Sequence, residues 1–238
     1  ANVKSLWGKN YALLGNAGSD KVQADPARAG QLLEQAAAAG TRSLIRRKRR
    51  GDQSRARIED SLRLAMIDPL TGLHNRRYAQ PQLAAIAARA VETGTAFAVM
   101  VVDLDRFKLV NDQHGHGVGD QVLVEVSRRL TANLRTSDLL ARIGGEEFLV
   151  VLPDAGMPLA RTVAERLCRA IEERPIRLAS GVRLTVTVSI GVAVSDVASG
   201  CGGARLQSAD QVVEAADLAL LDSKGSGRNQ VTFRLSAA

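Results

Sequence analysis

Residues 96–104, Ala-Phe-Ala-Val-Met-Val-Val-Asp-Leu, constrain the fold more than any other stretch of the chain. A nearly unbroken apolar run of this length predicts a central strand buried on both faces; a half-exposed strand would alternate. Around it the pattern switches repeatedly between helix and strand. Arg76–Ala90 reads as a helix with Leu83, Ile86 and Ala87 on its apolar side, and Val118–Leu134 as an amphipathic one with Val122, Val126, Leu130 and Leu134 one turn apart. Helices are also expected over Pro158–Glu173 and Ala209–Lys224, and strands over Leu139–Ile143, Phe148–Leu152, Val182–Val194 and Gln230–Leu235. Gly144-Gly145-Glu146-Glu147 between two of these strands signals a hairpin, with glycines free to take positive φ in the turn. Helices mixed with a mainly antiparallel sheet make the class α+β.

The 238 residues are 45% hydrophobic, enough to bury a real core. Residues 1–40 are rich in Ala and Gly and stay unassigned apart from an expected helix over Pro26–Ala39. Residues 41–66 read as a basic helical linker in which Ile58, Leu62 and either Ala65 or Met66 form a narrow apolar stripe. The stripe suits a short two-stranded coiled coil or an ordinary helix lying on the next domain. Asp68-Pro69 breaks the helix, so the boundary falls there and a domain is expected over 67–238.

A net charge of +7 suits an anionic ligand. Aromatic residues are only 3%, which disfavours stacking platforms for single-stranded nucleic acid, and the basic run 46–50 reads better as a solvated helix surface than as a nucleic-acid arm. No stretch approaches the run of about 18 apolar residues that a membrane span needs. No signal peptide is visible, and the two cysteines, Cys168 and Cys201, make neither a disulfide framework nor a metal cluster. A cytoplasmic location is the expectation.

Two constellations carry chemistry. The buried strand ends in Asp103-Leu104-Asp105, where carboxylates at i and i+2 share a face and could hold a hard cation such as Mg²⁺. Further on, Gly144 and Gly145 leave room for a bulky ligand against the backbone, with Glu146 at the tip of the turn. If the two strands are neighbours, Asp103 and Glu146 can share one metal site. No P-loop, G-x-G-x-x-G, zinc pattern or G-x-S-x-G elbow occurs.

With Arg142-Ile143-GGEEF, the segment Asp103–Asp120 (DLDRFKLVNDQHGHGVGD) resembles the GGDEF family of diguanylate cyclases. Asp68–Arg77 (DPLTGLHNRR) resembles the usual opening of that domain, and Ser189–Val194 (SIGVAV) and Lys224–Asn229 (KGSGRN) its closing motifs. The resemblance implies a polymerase-palm or ferredoxin-like sheet flanked by helices, behind an N-terminal helical stalk. It implies condensation of two GTP into cyclic di-GMP with magnesium, or manganese in its stead, at a site between two facing domains, hence a homodimer. It also implies an upstream sensory or receiver domain, and no nucleic-acid partner.

By the same resemblance Asp103, Glu146 and the main-chain carbonyl of Leu104 are metal ligands, and Asn111 and Asp120 read guanine, with His116 a further substrate contact. Lys108 stabilises phosphate charge, Lys224 and Arg228 clamp the triphosphate, and Glu146 or Glu147 helps deprotonate the attacking hydroxyl. Arg135-Thr136-Ser137-Asp138 has the R-x-x-D form, with five residues between Asp138 and Gly144. That offset resembles the family's product-inhibition site, with Arg166 and Arg89 as secondary arginines; a helix-end salt bridge is the plainer reading. Ile143, Leu221 and Ser223 depart from the common pattern without removing a ligand. The alternative function is a catalytically silent domain that acts as a receptor for GTP or cyclic di-GMP.

Overall fold

The computed structural model describes residues 65–195 and 208–235. The expected helices over Pro26–Ala39 and 41–66, apart from its last two residues, and the basic run 46–50 lie outside them. The elements, in order, are β1 (His74–Asn75), α1 (Arg76–Thr93), β2 (Ala98–Leu104), α2 (Phe107–His114), α3 (His116–Ala132), β3 (Leu139–Arg142), β4 (Glu147–Leu152), α4 (Met157–Glu172), β5 (Ile176–Arg177), β6 (Arg183–Leu184), β7 (Val188–Val194), α5 (Ala209–Gly225) and β8 (Val231–Leu235).

Six strands form one sheet in the order β1-β3-β4-β2-β7-β8. β2 pairs antiparallel with both β4 and β7, and β3 antiparallel with β4. The edges are parallel, β1 on β3 and β8 on β7, so the sheet is mixed, with its antiparallel pairs at the centre. The apolar run is fully buried because each face of β2 has its own core. Met100, Val102 and Leu104 face α3 and α4 among Val126, Leu130, Leu167 and Ile171. Val99 and Val101 face α1 and α5 among Leu83, Val212, Ala216 and Leu220. The expected buried Cys168 lies in the first core, and burial pushes its thiol up to about 11, so it stays an inert packing group.

One expectation changes, and one element was not expected. Val182–Val194 is not one strand: Arg183–Leu184 folds back on Ile176–Arg177 as a separate two-stranded hairpin, and β7 starts only at Val188. The polar stretch after Asp105 contains a helix, α2, opened by Arg106 in the left-handed region (φ 56°) and closed by Gly115 (φ 82°). Among the described residues no helix is long and apolar enough to cross a membrane.

Gly191 of β7 sets how closely α5 lies on the sheet. A Cβ there would run into the carbonyl of Ala216 and the amide of Leu220, both main-chain atoms that cannot turn aside. Gly191→Ala is therefore expected to destabilise the domain by about 1–3 kcal/mol, the range for overpacked cores, which urea unfolding would measure.

Candidate active site at the end of the central strand

Asp103 is the next-to-last residue of β2, on the same face as Val99 and Val101, and is only 4% exposed. The ladders set Glu147 of β4 on one side of it and Ser189 of β7 on the other. Lys224, in the last turn of α5, reaches down to it, Nζ to Oδ2 at 2.8 Å. The glycine turn folds over the strand end: the Leu104 amide donates to the Glu146 carbonyl at 3.2 Å, and the Ile143 amide donates to the Glu147 carbonyl at 2.9 Å. Asp103 and Glu146 therefore do meet at one place.

Of the two reasons expected for these glycines, positive φ fails and room for a ligand is found at Gly145. Neither takes positive φ. At Gly144 a Cβ would meet the Glu147 side chain, which folds back over it and would have to swing aside. Gly145 faces open space, so a ligand can approach the backbone there.

The electrostatics of the cleft are those of acids short of counter-charge. Burial raises the Asp103 carboxyl, Lys224 pulls it back, and Glu147 and Asp105 raise it further. Burial raises Glu146 as well, with the charges of Asp103 and Glu147 adding to it and Lys224 opposing. One lysine shared among several carboxylates leaves room for a cation. Among the described residues no three His, Cys, Asp or Glu side chains converge on one point. An ion held here would draw on two carboxylates and main-chain oxygens, with the rest from water and phosphate. That is the habit of Mg²⁺, which keeps waters and binds through one or two carboxylates plus substrate phosphates. The donor set fits such an ion.

Asp105 does not join this pair. Its carboxylate accepts from Thr187 Oγ1 (2.7 Å), Ser189 Oγ (2.6 Å) and the Asn229 amide (3.0 Å). It ties the entry of β7 to the turn that carries Arg228, where Arg228 and Asn229 both sit at positive φ (68° and 46°). Sequence reasoning missed this role, although the acceptor and its three donors lie within the motifs it singled out or beside them. It also missed Arg142, whose guanidinium donates to the Gly145 carbonyl (2.7 Å) and to Asp68 (3.0 Å). The same Asp68 carboxylate closes its own turn through Thr71 (2.8 Å to the amide, 2.6 Å to the hydroxyl).

The other predicted residues divide. Asn111 of α2 packs on Gly119 of α3, where a Cβ would strike its amide oxygen, and so stands next to Asp120. His116 and Asp120 are exposed near the start of α3, and Lys108 is exposed on α2. Arg228 is exposed and lines a small groove with Arg106 and Asp105. Arg135, Asp138 and Arg89 line a separate groove of about 610 Å³. There Asp138 accepts from the Arg135 amide (2.8 Å), a local turn and not the helix-end salt bridge of the plainer reading. Arg89 reaches Asp154 at 3.4 Å. Arg166 is not on this groove's lining; it donates to the Asn133 carbonyl at 2.7 Å, two residues before Arg135.

A family profile described as diguanylate cyclase, GGDEF domain, matches residues 65–230. The chain belongs to the GGDEF family. Response regulator PleD from Caulobacter vibrioides is 41% identical over 194 residues, covering 81% of this chain and 41% of PleD. The crystal structure of the coiled coil and GGDEF domain of DgcB from Caulobacter crescentus, in complex with c-di-GMP, matches with a TM-score of 0.71 and 31% identity, over 85% of this chain and 99% of that one. The active GGEEF domain of a diguanylate cyclase from Vibrio cholerae matches with a TM-score of 0.58 and 27% identity, over 69% of this chain and 97% of that one. The chain spans less than half the length of PleD, of diguanylate cyclase A from Treponema denticola and of DgcP from Pseudomonas aeruginosa. The α+β sheet with helices on both faces is thus that of a GGDEF domain.

In this GGDEF domain the Asp68–Arg142 pair predicts a pH dependence. Burial pushes the Asp68 carboxyl up, but hydrogen bonds from Thr71 and Arg142 outweigh it and leave it lowered. A lowered carboxyl stabilises the fold above its unfolded value near 4, and that contribution fades as pH falls through the folded value. Asp68→Asn should therefore destabilise by about 1–3 kcal/mol at neutral pH. The gap between wild type and variant in urea midpoint should close below about pH 4; a gap that persists into acid would contradict this account.

Proposed function

We propose that this chain is a working diguanylate cyclase that condenses two GTP into cyclic di-GMP and releases two pyrophosphates. The observation that carries the reading is the pair of raised acids, Asp103 and Glu146, brought together with Lys224 under an open glycine turn. Asp103, Glu146 and the Leu104 carbonyl hold Mg²⁺, with Mn²⁺ able to substitute. The ion's contribution is to acidify the attacking hydroxyl and to neutralise the triphosphate.

The domain's own residues do the rest. Asn111 and Asp120 read the guanine edge, with His116 beside them. Gly145 lets the nucleotide approach the main chain, and Gly144 does so once the Glu147 side chain over it swings aside. Lys224 exchanges the Asp103 carboxylate for the triphosphate when the nucleotide binds, and Arg228 grips the same group. Glu146 or Glu147 takes the proton of the 3′-hydroxyl as its oxygen attacks the α-phosphorus of the second GTP. The bond from that phosphorus to the bridging oxygen breaks, pyrophosphate leaves, and Lys108 steadies the charge on the transferring phosphate. The second half-reaction repeats these steps with the roles exchanged, so two domains must face each other in a homodimer. Residues 67–238 form the catalytic domain, 41–66 its helical stalk, and an upstream sensory or receiver domain sets the pairing. Cyclic di-GMP gripped by Arg135, Asp138, Arg89 and Arg166 throttles the enzyme.

Glu146→Gln is expected to lower cyclic di-GMP production from GTP and Mg²⁺ by at least about 100-fold, the scale of losing an electrostatic partner of the transferring group. Because the folded state raises Glu146, its ionised form works against the fold at neutral pH, so the variant should melt no lower than wild type. A wild-type dimer that makes no product would favour a silent receptor instead. Arg135→Ala should raise the concentration of cyclic di-GMP needed for half-inhibition at least about tenfold, as expected for the loss of a charge-assisted contact; unchanged inhibition would remove Arg135 from that role.

A further inference from the structure

A groove of about 690 Å³ shares no lining residue with the Asp103 cleft or the Arg135 groove. It runs between α3, the turn behind α4 and the β5–β6 hairpin. That hairpin is amphipathic. Ile176 pairs with Leu184 and packs into the core, whereas Arg177 pairs with Arg183 and both line the groove. Two guanidiniums directly opposite each other across a ladder repel. Among the described residues neither one, nor Arg174 beside them, forms a salt bridge.

The groove is built rather than accidental. Arg129, 8% exposed, donates from α3 to the carbonyls of Ile171 (2.9 Å) and Arg174 (2.5 Å). It thereby fixes the turn that carries Arg174 and leads into β5. Two acids also line the groove. Glu125 is committed to Arg128 and Arg129 at 2.8 and 2.9 Å, and the Arg128 hydrogen bond above all holds its carboxyl down at about 2. Glu173 is the other. Five arginines against two glutamates leave a net charge of +3.

We propose that this groove binds a small anion carrying two or more linked phosphates. A single carboxylate would leave most of the charge unmatched. Guanidinium forks grip phosphate oxygens in pairs, and opposed forks on a short hairpin suit neighbouring phosphates. The volume is that of a small-molecule site, and no aromatic side chain lines it, which removes the stacking that a single-stranded nucleic acid would use. The inference does not rest on the catalytic reading, since none of these residues takes part in it.

The test uses the full chain in magnesium-free buffer, titrated calorimetrically with inorganic tripolyphosphate, with ATP, and with sulfate at matched ionic strength. Wild type should bind tripolyphosphate, and Arg177→Ser with Arg183→Ser should weaken that binding at least about tenfold, as loss of two charge-assisted contacts implies. Lys224→Ala with Arg228→Ala should retain it. Binding of both tripolyphosphate and ATP assigns the site to the phosphate chain alone, and binding of ATP only assigns it to a nucleotide. With no ligand present, the double serine variant should melt no lower than wild type, because a repulsive pair is gone; a lower melting point would mean that the arginines hold the fold. Undiminished binding in that variant would overturn the proposal. So would loss in the Lys224 and Arg228 variant alone, or an equal response to sulfate, which would mark an adventitious ion only.

Discussion

A carboxylate that is 4% exposed, at the end of a strand with apolar core on both faces, can exist only with a partner, and Lys224 is that partner. Much else in the domain follows from this arrangement. A slip of β2 by one residue would swing Asp103 into the core between the sheet and α3 and α4, and would push Leu104 toward α1 and α5. Double burial therefore locks the register of β2 against β4 and β7. The register in turn sets Glu147 and Ser189 beside Asp103. The close seat of α5 on Gly191 brings Lys224 to the same point from above the sheet. A core-packing constraint thus positions the polar cleft.

Two polar knots finish the work that the ladder begins. On one side of the strand end, Asp105 gathers Thr187, Ser189 and the Asn229 amide, and so holds the turn that presents Arg228 in its left-handed conformation. On the other side, Arg142 bridges the Gly145 carbonyl and Asp68, so the glycine turn is tied to the point where the chain enters the domain. In each knot one charged group meets several fixed partners, which is what makes a short loop hold one shape.

The fold was legible in the sequence wherever hydrophobic period was strong. β2 and the helices α1, α3, α4 and α5 fall where apolar spacing puts them, within a few residues. What escaped has no such period. α2 is hidden in a stretch dense with polar residues, because its start depends on Arg106 adopting a left-handed conformation, which spacing does not reveal. The break before β7 was invisible because residues 182–194 look evenly strand-like; only the local hairpin partner Ile176–Arg177 and the pull of Asp105 on Thr187 separate the pieces. At the site, the residue types of Asp103 and Glu146 could be read, but Asp105 looked like a twin of Asp103. Which of two carboxylates stays in the cleft and which becomes a structural acceptor depends on donors 82 to 124 residues away, beyond the reach of local pattern.

The two candidate ligand regions on the α1 side stand at opposite ends of the sheet. β3 runs parallel to β2, since both pair antiparallel with β4. Its first residue follows the Arg135–Asp138 turn and its last is Arg142, so four strand residues, roughly 13 Å, separate a ligand in that groove from the clamp on the glycine turn. β4 pairs with all of β3 and β1 with its last two residues, Ala141 and Arg142, and a strand so held at its far end does not slide in small steps. Transmission along it would need a second discrete arrangement of the strand, and the ladders leave none available without breaking register. The ladders therefore give a ligand in the Arg135 groove no direct mechanical path along β3 to the geometry around Asp103.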